Sequence, residues 1–160
     1  MARPEFIQGL AGHIATQHND SRLAAQENQR KEQVLKNQAP DKWATLKTWM
    51  RDAVRELNQN PQLTQAGQNL VFDDRQNQNQ FKISQKTLAS EETVITVTFS
   101  QSGSIICNGK DLQSATFKSV VRDATVIFVE EPEPNSRQVF DEPEKLGEHI
   151  LRLIFKYTQP

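Results

Sequence analysis

Along the chain, the spacing of apolar positions changes character twice. Phe6, Ile7, Leu10, Ala11 and Ile14 recur at helical intervals, and Pro4 is compatible with a first helical turn. From Ala15 to Gln33 the only large aliphatic residue is Leu23, set among Gln, Asn, Arg, Glu and Ala. A helix that is polar all round buries little. Residues 1–39 therefore read as a polar helical arm that must lean on a partner, bridge solvent or stay partly disordered. Leu10, Leu23 and Val34–Leu35 hold no heptad register, which argues against a coiled coil.

Residues 40–60 carry a fuller stripe. Trp43, Leu46, Trp49, Met50, Ala53, Val54 and Leu57 share one helical face, while Lys42, Lys47, Arg51, Asp52, Arg55 and Glu56 fall mainly on the other. Pro40-Asp41 predicts a break followed by an N-cap, and Asn58-Gln59-Asn60-Pro61 predicts the end of the helix. Two tryptophans at helical spacing among aliphatics are expected in a core rather than on a ligand platform.

From about residue 68 the period becomes two. Leu70-Val71-Phe72 is a short, wholly apolar run of the kind found in buried strands. Phe81 and Ile83 alternate with Lys82 and Ser84, and Ile95, Val97 and Phe99 share a face within the β-branched segment Thr93 to Phe99. Gln101-Ser102-Gly103 and Asn108-Gly109 read as hairpin connections, and Arg122-Asp123 as a tight turn between Phe117–Val121 and Thr125–Val129. Short turns in succession predict an antiparallel meander. The acidic, proline-bearing segment Glu130-Glu131-Pro132-Glu133-Pro134-Asn135 ends the last strand. Asp141-Glu142-Pro143 then starts a helix whose inner stripe is Leu146, Ile150, Leu153, Ile154 and Tyr157, widened by Leu151 and Phe155.

The expected fold class is α+β: an N-terminal helical arm and amphipathic helix, an antiparallel β-meander of five to six strands, and a C-terminal helix packed on the sheet. Residues 1–39 form the arm and 40–160 a single α+β domain. This order of elements looks like that of many small bacterial proteins of unassigned role and is similar in outline to secretion-chaperone-like domains, which bind partners as dimers; no motif matches residue by residue, so no family is assigned.

Composition adds one observation. Eighteen Gln and 10 Asn stand among 160 residues, gathered in the arm, around Asn58–Asn69 and from Gln76 to Gln80, so amides mark surface and caps. The net charge of −1 divides into +2 over residues 1–57 and −3 over 58–160, without a basic cluster interleaved with aromatics. That argues against nucleic acid as a partner. Neither a signal-peptide core nor a run of ~20 apolar residues is present, so a soluble, cytoplasmic protein with no membrane partner is expected.

Candidate chemistry is sparse. His13, His18 and His149 are not spaced as helical metal ligands, and Cys107 has no second cysteine, so no metal and no cofactor is expected. Cys107 would need a base to act as a nucleophile, and His149 is the sole candidate within the domain. The six glycines form no phosphate-binding fingerprint, and no nucleophile elbow is present. Seven acids from Glu130 to Glu148 stand against Arg137 and Lys145, and solvated loop and cap roles suit them. The sequence leans away from an enzyme and offers no catalytic residue. It suggests a non-catalytic interaction protein, adaptor or chaperone-like, that holds a protein partner or itself as a homodimer through residues 1–39. Phe6, Ile7, Leu10, Ile14 and Leu23 are the candidate contact residues. The alternative is a small-ligand binder or enzyme with a pocket between sheet and helices.

Overall fold

A computed structural model describes residues 3–110, 112–131 and 138–157. Helix α1 (Pro4–Gln59) is followed by a short α2 (Pro61–Gln65). Seven strands come next: β1 (Asn69–Asp73), β2 (Gln80–Lys86), β3 (Glu91–Phe99), β4 (Ile105–Gly109), β5 (Leu112–Arg122), β6 (Thr125–Glu131) and β7 (Val139–Phe140). Helix α3 (Pro143–Phe155) completes the order. The strands form one antiparallel sheet in sequence order, β1 to β7. The architecture is α+β as expected, with seven strands instead of five to six. The extra one is β7, whose two residues are too few to show a period.

One face of the sheet carries Phe81, Ile83, Ile95, Val97, Ile105, Cys107, Phe117 and Phe128, all buried, and both helices lie on it. Helix α1 contributes Ala39, Trp43, Leu46, Met50 and Val54, spaced four, three, four and four residues apart as one helical face requires. Trp43 stacks on Phe81 and on Phe99, with ring centroids 5.5 Å away in each case, and its indole N–H donates to the carbonyl of Gln78 at 3.0 Å. The two tryptophans thus have core roles, Trp43 fully and Trp49 partly buried. Helix α3 buries Pro143, Leu146, Gly147, Ile150 and Ile154 beside α1.

Two amide side chains fasten α1 at the two ends of its packed segment. Gln38 donates to the carbonyl of Ala124 (2.9 Å) and accepts from the N–H of Val126 (3.0 Å). Asn58 makes the same two-bond clasp on Leu70, at 2.8 Å in both directions. These contacts join the helix to the β5–β6 hairpin and to edge strand β1, at points about 30 Å apart along the helix. The hairpin needs the help. Asp123 and Ala124 both have positive φ (51° and 63°), a conformation costing roughly 1–2 kcal/mol for a residue with a Cβ.

Four local expectations are corrected. Helix α1 runs through Pro40 without a break, because packing and the Gln38 clasp hold the chain helical on both sides of it. The β5–β6 turn sits at Asp123-Ala124, one residue beyond Arg122-Asp123, since Arg122 pairs with Thr125. Asn108-Gly109 lies inside β4, with Gly109 pairing to Leu112. Strand β1 is at the sheet edge: only Leu70 is buried, and Val71 and Phe72 are half-buried.

Helix α3 meets α1 where Gly147 faces Trp49. A Cβ at residue 147 would stand 2.4 Å from Trp49 Cε3. Gly147→Ala is therefore expected to lower stability by about 1–3 kcal/mol despite its better helix propensity, measured as a drop in Tm. An unchanged or higher Tm would show that the two helices are not packed this closely.

Candidate functional site

The residues singled out at the N-terminus lie on the part of α1 that leaves the sheet. Every residue from 3 to 33 is exposed, and residues 4–33 extend about 45 Å as helix. Phe6 (61% exposed), Ile7 (51%), Leu10 (42%) and Ile14 (56%) share one side of it. Leu23 is also exposed, but nine residues beyond Ile14 is two and a half turns, which places it on the opposite side. The fold thus gathers four of the five residues into one stripe and leaves Leu23 apart. Local support for this segment comes from Thr16, whose hydroxyl donates to the Gly12 carbonyl, and from a Glu27–Arg30 ion pair at 2.7 Å. Exposed pairs of that kind add little stability.

A second surface lies at the other end of α1. Where α1, α2, β1 and the last turns of α3 diverge, they leave a groove of about 620 Å³. Its apolar lining is Leu57, Leu63, Leu70, Leu151, Phe155 and Tyr157, and its polar members are Gln68, Gln85, Glu148 and Arg152. Lys156 ends α3 in the left-handed conformation (φ 51°), and the Tyr157 N–H then donates to the Arg152 carbonyl at 3.0 Å. That turn holds Tyr157 beside the groove. Sequence reasoning anticipated a pocket between sheet and helices but named none of its residues, although Leu151 and Phe155 gave a signal: they make the α3 stripe wider than the sheet contact needs.

The chemistry-bearing residues occupy other places. Cys107 is buried on β4, and desolvation pushes its thiol pKa up to about 12, so the thiolate is strongly disfavoured near neutrality. His149 packs against Phe140 (centroids 4.9 Å apart) and edge-on to Phe117 (5.8 Å). Its buried Nε2 has no hydrogen-bond partner among the described residues. Asp73 and Asp141 are surface carboxylates, held below the usual range chiefly by hydrogen bonds from Arg75 and Lys145. Within the described residues, no three His, Cys, Asp or Glu side chains group closely enough to hold a metal ion, and no helix is long and apolar enough to cross a membrane.

Burial lowers the His149 pKa below its ordinary value of 6.5, more than the opposing charge of Glu130 raises it. Neutral imidazole is favoured in the folded state. Its contribution to stability is complete above pH 6.5 and declines as pH falls below that value toward the folded-state pKa. The shifted carboxylates lose their contributions at lower pH, as pH drops below their ordinary 3.8. Urea midpoints at about pH 7.5 and about pH 5 should therefore differ more for the native chain than for His149→Leu. Equal differences would mean that His149 is solvated.

Among the described residues, an exposed apolar stripe and an apolar groove thus lie at opposite ends of α1. No protein-family model, curated protein or solved structure matches the chain.

Proposed function

We propose that the protein is a non-catalytic interaction module, adaptor or chaperone-like, that engages a protein partner or a second copy of itself through the exposed arm of α1. The observation that carries this reading is the Phe6–Ile7–Leu10–Ile14 stripe, held on a continuous helix and covered by nothing in the described chain. Helices of this kind dock by laying anchors at i, i+3 and i+7 into an apolar surface, the spacing of Ile7, Leu10 and Ile14. Each aliphatic or aromatic anchor contributes about 1.5–3 kcal/mol when fully buried, so four together contribute about 6–12 kcal/mol, comparable with the roughly 4–15 kcal/mol that association costs in lost freedom. Additional contacts would have to supply the surplus.

The groove supports a second reading, a small apolar ligand seated between sheet and helices. Its volume falls within the range of small-molecule sites, and its lining is mostly aliphatic and aromatic.

Native mass spectrometry and sedimentation velocity on the full chain and on the double variant Leu10→Glu/Ile14→Glu test both readings. The native chain should carry associated protein mass, its own or another's. The variant should lose that mass with its circular-dichroism spectrum unchanged, because both positions are exposed. Retention of the same mass by the variant would overturn the arm reading. A small apolar molecule held equally by both forms would favour the second.

A further inference from the structure

Strand β7 is the shortest in the sheet. Its two residues join β6 through the pairs Phe128↔Phe140 and Val129↔Val139, and beside them the Glu130 N–H donates to the Gln138 carbonyl at 3.0 Å. Val139 is exposed, so Phe140 is the side chain that anchors the strand to the core. Phe140, Phe117 and His149 form a cluster in which each ring touches both others, with centroids 5.8, 5.8 and 4.9 Å apart. We propose that His149 is an acid-operated latch on β7: the neutral ring holds Phe140 in the cluster, and the imidazolium turns to Glu130 and lets β7 leave β6.

The geometry supplies the trigger, the acceptor and the part that yields. A neutral imidazole can leave one ring nitrogen without a proton, whereas imidazolium carries a proton on both. Nε2 of His149 is buried and has no hydrogen-bond partner among the described residues. Protonation therefore creates a charged donor against aromatic rings, where leaving it unsatisfied is costly. An acceptor stands close by. Glu130 pairs with Phe117 in the β5–β6 register, so the two side chains are neighbours on the inner face of the sheet. Phe117 itself is fixed, because it is fully buried on an 11-residue strand paired to both β4 and β6. Phe140 is held by a strand of two residues at the sheet edge, so the movement falls on β7.

Burial is the main influence keeping His149 neutral; Glu130 of β6 favours its protonation, and Arg152 of its own helix opposes it. Strands β5 and β7 turn rings toward it. Asp141, next to Phe140, accepts from Lys145 at 3.2 Å, and that bond holds its carboxyl below the usual range, so its charge is constant while His149 titrates. The closed form favours the neutral ring, so the latch is fully set above the ordinary 6.5 and weakens as pH falls below it. Release frees the Glu130 N–H and bares the edge of β6, leaving backbone groups of the kind to which extended segments add. This device is independent of how the arm is used.

Amide hydrogen exchange of the full chain, followed by NMR and expressed as protection factors, tests the latch. Between about pH 7.5 and about pH 5, protection of the residue 130 amide should fall about tenfold or more while amides of β2 to β4 keep theirs. In His149→Leu, and in His149→Gln as a polar replacement, that amide should be equally protected at both pH values. Glu130→Gln should shift the loss to lower pH, because it removes the charge that receives the imidazolium. Constant protection in the native chain, or the same loss in the His149 variants, would overturn the proposal. So would a loss shared equally by β2 to β4, since acid would then be loosening the whole fold. A transition unmoved by Glu130→Gln would overturn the part assigned to Glu130.

Discussion

The structure depends on one constraint: an antiparallel sheet with a single apolar face must have that face covered. The inward side chains of β2 to β6 include three phenylalanines and five aliphatic or thiol residues, and half of one helix covers most of them. Trp43, Leu46, Met50 and Val54 are buried to 4% exposure or less. Everything else about α1 follows from this placement. Because the covering segment lies at the C-terminal end of an unbroken 56-residue helix, the first thirty residues project into solvent, and the last turn meets α2, β1 and α3 at the groove.

Side-chain amides set the helix in place. A carboxamide presents a donor and an acceptor side by side, the same pair offered by a strand or turn backbone, so one Gln or Asn can satisfy two backbone groups at once. Gln38 and Asn58 both do this, at the β5–β6 turn and at edge strand β1. Their position also explains the uninterrupted helix at Pro40. A mid-helix proline costs about 3 kcal/mol, whereas burying the Trp43, Leu46, Met50 and Val54 face against the sheet contributes about 1.5–3 kcal/mol per side chain. Packing outweighs the lost hydrogen bond, and the clasp at Gln38 keeps the chain aligned just before the proline.

Most of the architecture is legible in the residue pattern. The Trp43-to-Leu57 stripe, the alternation from Phe81 to Phe99 and the final amphipathic helix are strong periodic signals, and they identify the layers and their antiparallel order. The parts that escape are those decided by tertiary contact. Nothing local indicates that Pro40 lies within a helix, because the compensation comes from strands more than 80 residues away. The turn at Asp123-Ala124 lacks the glycine or asparagine that usually marks it, since part of its stabilisation comes from Gln38. The groove is spread over four elements, so its leucines belong to separate stripes until the chain is folded. The arm stripe, by contrast, is visible from Phe6 to Ile14 without any structure, while helical phase removes Leu23 from it.

Helix α1 thus carries an exposed apolar stripe at one end and meets the groove at the other. Hydrogen exchange of the full chain at low and high protein concentration addresses this account most directly. Amides of residues 38–58 should be protected at both concentrations, because they lie on the sheet. Protection of residues 5–15 should rise at high concentration or with a copurified partner protein bound, because the stripe is otherwise exposed. Exchange in the arm that is independent both of concentration and of any copurified protein would contradict the arm reading.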